Sequence, residues 1–205
     1  MPGPVAGIAL IAVSFLVGAV PWGYLAGKLT RGVDLRTVGS GSTGATNVLR
    51  TLGKTASAIV FSLDFLKGLV PVLVAKSLGF DAGWVAAAAV ATVVGHCWSP
   101  FIGFKGGKGV ATGAGAAIAL FPLALIALPV MAAVVWLTRY VSLGSLIGVG
   151  VASALAVVLA ATGRLDWPAA VAVAAISAII VVRHSGNIRR LRDGAERRIG
   201  QNVAI

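Results

Sequence analysis

Six apolar runs alternate with short polar segments along the 205-residue chain. They cover 5–27, 55–75, 83–95, 110–138, 141–162 and 168–182. None shows the period-two alternation of a half-buried strand. Most are long enough for helices that cross a bilayer, which takes about 20 residues. Pro21, Trp22 and Tyr24 stand near the end of the first run, where aromatic side chains anchor at a membrane interface. The run 110–138 contains Pro122 and Pro129. It is read as two short helices turning near Phe121-Pro122, each thin for a bilayer of about 30 Å unless tilt or local thinning absorbs the difference.

Composition agrees with this pattern. Hydrophobic residues make up 58% of the chain and charged residues only 11%, with a mean hydropathy of +0.97. A soluble domain carries about 25% charged residues. The chain is therefore read as one integral membrane domain over 1–205, with no separate soluble domain. The N-terminal run lacks a basic leader and flows into a polar loop, so it reads as a retained span and not a cleaved signal. The single Cys97 excludes an intrachain disulfide and any multi-cysteine metal site.

The net charge is +11. In a membrane protein such an excess marks the cytoplasmic side before it points to nucleic acid, and no nucleic-acid partner is expected. Segments 28–54, 96–108 and 183–198 hold 13 of the 17 basic residues. The positive-inside rule places all three in the cytoplasm, and parity then requires two crossings within 110–138. The expected fold is all-α and polytopic, with seven transmembrane helices, the N-terminus outside and the C-terminus cytoplasmic. The loops 28–54, 95–112 and 183–198 share the cytoplasmic face.

Those loops carry the chemistry-bearing residues. In GSGSTGATNVLR, residues 39–50, the glycines match GxGxxG, and Asp64 follows Gly44 by 20 residues. A dinucleotide fold needs a strand before this motif and a parallel sheet around it. Here a membrane helix precedes it and Asp64 falls inside the next span, so that reading fails. Ser40, Ser42, Thr43, Thr46 and Asn47 remain as small polar groups, with a helix start near Gly44. Arg50 shares a face with Asn47 and can grip a phosphate bidentately.

The segment GHCWSPFIGFKGGKGVATG, residues 95–113, interleaves four glycines with Lys105 and Lys108. Gly106, Gly107 and Gly109 permit close backbone approach, and the lysines supply charge, so the loop suits an anion. It is one residue short of a Walker A loop and has Gly109 where Ser or Thr would hold magnesium, so nucleotide hydrolysis is not indicated. His96 has no metal-ligand neighbours in the sequence and reads as structural. The tail RHSGNIRRLRDGAERRIG brings His184 and Asn187 three apart, directly after an apolar span, with Glu196 as a rare acid able to orient a basic group. Arg189, Arg190 and Arg192 are expected to face anionic lipid. Asp64 and Lys67, at i and i+3, are the opposite charges within one span and are read as orienting or structural. Ser142 lies at the end that holds Arg139 and joins the candidates.

No Ser-His-Asp triad and no paired acidic site is visible, and no metal is expected. The polar inventory binds oxyanions and stabilises developing negative charge. It suits transfer from a donor with a good leaving group. The alternative is transport or exchange of a phosphorylated metabolite, against which stands the lack of an internal repeat.

In order and spacing, residues 39–50, 95–112 and 184–196 resemble the motifs of the bacterial acyl-phosphate:glycerol-3-phosphate acyltransferase family. TRYVSL at 138–143 is also similar, and the resemblance spans essentially the whole chain. It implies a seven-span inner-membrane enzyme whose site faces the cytoplasm. Such an enzyme moves an acyl group from acyl phosphate to the sn-1 hydroxyl of glycerol 3-phosphate, without a cofactor, making 1-acylglycerol 3-phosphate. The expected partners are these two substrates and membrane lipid, and no protein partner is inferred. Carried over, Ser40, Asn47, His184 and Asn187 are the catalytic residues. Arg50, Lys105, Gly106, Gly107, Lys108, Gly109 and Ser142 bind substrate phosphate, and Glu196 belongs to the third motif. Ser42 and Ala195 depart from the family's usual asparagine and threonine.

Overall fold

The protein, a computed structural model describing residues 2–201, has helices as its only regular elements among those residues. Helix α1 (Pro4–Ala19) starts with proline in its first turn, where a missing N–H costs nothing. Val20 and Pro21 break it, and α2 (Trp22–Arg31) resumes the run until Gly32 ends it in the left-handed conformation. Three further helices, α3 (Ala45–Leu52), α4 (Lys54–Ser77) and α5 (Ala82–Cys97), precede the glycine-rich loop. Then come α6 (Val110–Leu120), a 3-10 turn at Pro122–Ile126, α7 (Ala127–Thr138) and α8 (Val141–Ala161). The Asp166 carboxylate caps α9 (Trp167–Arg183) by accepting the Ala169 N–H at 2.8 Å. The chain then bends by 58° at His184 into α10 (Ser185–Arg192).

The count of seven crossings is wrong. Among the described residues, four segments are long and apolar enough to span: Pro4–Arg31, Lys54–Ser77, Ala82–Ile102 and Val141–Ala161. A fifth is reached if the bent pair α9–α10 is one span. The break at Phe121-Pro122 is present, and Phe121 is extended there. It leaves α6 with 11 residues and α7 with 12. At 1.5 Å per residue α6 is about 16 Å long, roughly half the hydrocarbon thickness, and the continuous apolar stretch Pro122–Thr138 is also shorter than the other spans. Charge parity demanded two crossings from a stretch that lacks the length for them. The sidedness deduced from seven crossings falls with the count.

Small residues let the helices approach. A Cβ on Gly18 would strike the Thr92 carbonyl, and one on Gly95 would strike that of Phe15, so α1 and α5 cross backbone to backbone. Gly68 against Thr112 and Gly115 against Phe65 do the same for α4 and α6. Such packing replaces the hydrophobic drive that lipid does not supply. The main core is mostly alanine and valine from α4, α5, α6, α8 and α9. A second, smaller core of Leu35, Val48 and Val60 seats α3 and its preceding loop on α4.

Candidate active site

The first motif loop is wound around Asn47, which is 1% exposed. Its Oδ1 accepts the Ser40 N–H at 2.9 Å. Its Nδ2 donates to the carbonyls of Leu35, Val38 and Ser42 at 2.9, 3.1 and 2.9 Å. The amide is thus fully engaged in holding residues 35–42 against the start of α3. That leaves its Nδ2 no further proton to donate. The turn it secures presents Ser40 and the first residues of α3 to a cavity of about 170 Å³.

The second loop turns over His96. The Gly106 and Gly107 N–H groups donate to the carbonyls of Cys97 and His96 at 3.3 and 3.1 Å. A Cβ on Gly107 would run into the His96 ring, and one on Gly106 into the His96 carbonyl. Only glycine lets this turn lie flat on the end of α5. Gly109, at φ +84, then starts α6. Lys108, Gly109, Val110 and Ala111 line the cavity. Lys105 is exposed and outside it, and Gly106 and Gly107 are buried beneath the loop. The cluster expected to cradle phosphate therefore contributes Lys108 and the N-terminus of α6.

The third motif closes the opposite wall. His184 is 2% exposed, with Nδ1 2.8 Å from the Ile180 carbonyl. That contact fixes the Nδ1–H tautomer and leaves Nε2 as an acceptor. Glu196 accepts from Ser142 Oγ at 2.9 Å, Asn187 Nδ2 at 2.6 Å and Arg190 Nε at 2.8 Å. Ser142 therefore spends its proton on Glu196. Ser40, Asn47, Arg50, Asp64, Lys108, Gly109, Ser142, His184, Asn187 and Glu196 line one cavity, although they come from five parts of the chain.

Two arginines that the sequence offered only as charge hold the loops together. Arg36 pairs with Asp34 at 2.7 Å, lies over the Tyr24 ring and donates Nη1 to the Ile102 carbonyl at 2.7 Å. Arg183 donates to the Gly106 and Gly107 carbonyls at 3.0 and 3.1 Å and lies over Trp98. The first thus joins loops one and two, and the second joins loop two to the end of α9. His96, read as lacking partners, sits 3.6 Å from Asp64 and also lines the cavity. Asp64 pairs with Lys67 at 2.8 Å, and Lys67 donates to the Val20 carbonyl at 2.8 Å, across the break between α1 and α2.

Electrostatically the cavity combines two helix N-termini, Arg50 and Lys108 with the carboxylates of Asp64 and Glu196. The N-termini of α3, at Gly44–Thr46, and of α6, at Gly109–Ala111, both open onto it with unsatisfied first-turn N–H groups. Burial pushes Lys108 down to about 8, helped by Arg190, Arg50 and Arg183 and opposed by Glu196. Burial, then Lys108, pushes His184 down to about 4. Burial would raise Glu196, but the bonds from Asn187, Ser142 and Arg190 outweigh it and hold the carboxylate below its usual range. A largely charged lysine, a neutral histidine and a fixed carboxylate result at pH 7.

The polar cavity also opens sideways. It shares Ala45, Thr46, Phe61, Met131 and Val141 with an apolar groove of about 860 Å³ between the α3–α4 corner and α7. Trp136, 78% exposed, stands on the groove's outer side. A polar cavity joined to an apolar groove among helices is the arrangement of a membrane protein with room for an amphiphile.

Residues 8–194 match the glycerol-3-phosphate acyltransferase family. Glycerol-3-phosphate acyltransferase 1 of Deinococcus radiodurans is 47% identical over 199 residues, covering 96% of this chain and 98% of that protein. A crystal structure of PlsY, an integral membrane glycerol 3-phosphate acyltransferase, in its glycerol 3-phosphate form, superposes with a TM-score of 0.88. It is 41% identical and covers 95% of this chain and 96% of that one. The lysophosphatidic acid form of the same enzyme gives a TM-score of 0.85 at 40% identity, over the same shares of both chains. The chain belongs to the glycerol-3-phosphate acyltransferase family and is a multi-pass membrane acyltransferase.

Proposed function

We propose that the polar cavity is the active site and that its two helix N-termini receive the two substrate phosphates. The reaction is transfer of an acyl group from acyl phosphate to glycerol 3-phosphate, giving lysophosphatidic acid and inorganic phosphate. The observation that carries the reading is the convergence of α3, α6, Arg50 and Lys108 on one space that opens into an apolar groove. The groove adjoins Ala45 and Thr46, so the acyl phosphate head lies at the start of α3 beside Ser40 and Arg50, with its chain in the groove. Glycerol 3-phosphate then takes Lys108 and the start of α6. The clustering of basic residues around the cavity favours a site facing the cytoplasm of a bacterial inner membrane.

The sn-1 hydroxyl attacks the carbonyl carbon of the mixed anhydride. The bond from that carbon to the bridging oxygen breaks, and phosphate leaves with the electron pair. Charge on the carbonyl oxygen meets the Ser40 hydroxyl and the first N–H groups of α3. The hydroxyl proton passes to a phosphate oxygen, which with a pKa near 6 accepts it more readily than an imidazole held near 4. His184 Nε2 and Asn187 orient the attacking hydroxyl.

Lys108→Ala should raise KM for glycerol 3-phosphate about 100-fold with little change in KM for hexadecanoyl phosphate, and Arg50→Ala should do the reverse. Steady-state kinetics of purified protein in detergent, with both substrates varied, separate the two. Equal effects on both constants in both variants would dissolve the assignment of the phosphates.

A further inference from the structure

Behind the polar cavity lies a second apolar space, a narrow slot of about 50 Å³ among α6, α7, α8 and α9. Small residues such as Gly113, Ala117, Ala124 and Ala152 line it. Its size is of the order of one or two water volumes, too small for a long acyl chain. The polar cavity, the lateral groove and the slot meet at one side chain. Met131 alone lines all three. It is half-buried on α7 and faces α8 where that helix carries glycines. A Cβ on Gly148 would stand 3.1 Å from Met131 Cβ, and one on Gly144 would stand 2.9 Å from the Met131 carbonyl oxygen. Met131, with its flexible side chain, therefore stands at the fork between the groove and the slot.

We propose that Met131 determines acyl-donor specificity, closing the slot so that a straight chain is led into the groove and a donor branched beside its carbonyl is rejected. The inference rests on reading the polar cavity as the active site. A straight chain leaves the carbonyl in one direction and needs one channel. A branch at the second carbon needs a second channel, and the slot is the space available for it. Met131 fills the entrance. A difference of one or two methylenes in an apolar pocket discriminates about 10- to 200-fold in kcat/KM.

The test compares 2-ethylhexadecanoyl phosphate with hexadecanoyl phosphate on the purified full chain. Comparing the ratio of their kcat/KM values between variant and parent cancels the lower intrinsic reactivity of the branched donor. Met131→Ala should raise that ratio at least tenfold with KM for glycerol 3-phosphate unchanged. Met131→Val should give an intermediate rise, and Met131→Leu, which conserves volume, none. Adding Ala152→Leu, which fills the slot, should return the Met131→Ala ratio to the parent value. An unchanged ratio in Met131→Ala would overturn the proposal, as would a rise that survives Ala152→Leu. So would loss of turnover on both donors in Met131→Ala and Met131→Val, which would make Met131 essential and not selective. None of these outcomes bears on the phosphate assignment, which the Lys108 and Arg50 kinetics decide separately.

Discussion

His184 shows how far a residue's environment can redirect its chemistry. A free imidazole titrates near 6.5 and suits general-base work, whereas this one is buried beside Lys108 and is pushed down to about 4. Its Nδ1–H is committed to Ile180, so the side chain is neutral and offers one lone pair. If it only orients the hydroxyl, His184→Gln should mainly raise KM and retain turnover within about tenfold. A general base would lose about 100- to 10,000-fold in kcat. The pH dependence has a definite sign. Between about 4 and 6.5 the unfolded chain binds a proton at this position that the folded chain does not, so stability rises with pH across that window and falls on acidification. Thermal unfolding of wild type and His184→Gln from pH 4 to 7 should show that slope in the wild type and its loss in the variant. Asn47 makes the complementary point. Its position in GATNVLR and its shared face with Arg50 were legible from spacing, but its partners were not. Three carbonyls of its own loop and one N–H consume the amide, and those partners exist only once the loop has closed.

At the scale of elements, the glycine-rich loop is less a cradle than a hinge plate fitted over the end of α5. Its glycines are explained by His96 beneath them and by Arg183 holding their carbonyls. Gly107→Ala should force the loop off the His96 ring and carry Lys108 with it, raising KM for glycerol 3-phosphate about tenfold. Gly106→Ala, which meets an unyielding backbone carbonyl, should be worse than Gly107→Ala. Kinetics of the two variants check the order, and parent-like constants for Gly106→Ala would show that the turn is not fastened there. Lys105 looked equivalent to Lys108 in the sequence, three residues away in the same glycine context. The turn leaves Lys105 exposed, and of the two only Lys108 lines the cavity. Spacing within a loop carries no side-chain direction, unlike spacing within a helix, so this distinction could not be read beforehand.

At the scale of the molecule, the C-terminal segment straps distant parts together. The Ile199 N–H donates to the Arg139 carbonyl at 2.7 Å, and Arg139 Nη2 returns a bond to the Ile199 carbonyl at 3.2 Å. Arg198 lies over Tyr140, and Glu196 drops into the cavity to bind Ser142 and Asn187. Ending the chain after Asp193 should therefore raise KM for both substrates and lower Tm, by about 2–4 °C for each kcal/mol lost. Unaltered KM values and Tm would show that the segment only rests on the surface.

The sequence by itself determined that the chain is helical, membrane-embedded and basic, and it singled out the short motifs proposed to carry the chemistry. Hydropathy and residue type are local properties, and the bilayer enforces them strongly. The motif resemblance extended that reading to the reaction. Which runs cross was decided by the length of unbroken helix. A proline and an extended phenylalanine divide 110–138 into two pieces, each shorter than the other spans, and charge parity is blind to that. Tertiary structure alone decided that Arg36 and Arg183 join the loops, that His96 lies under the glycines and that Met131 stands where three cavities meet. Each of these depends on segments far apart in the chain. Small residues on α1, α4, α5 and α6 bring such segments together by letting the helix backbones touch.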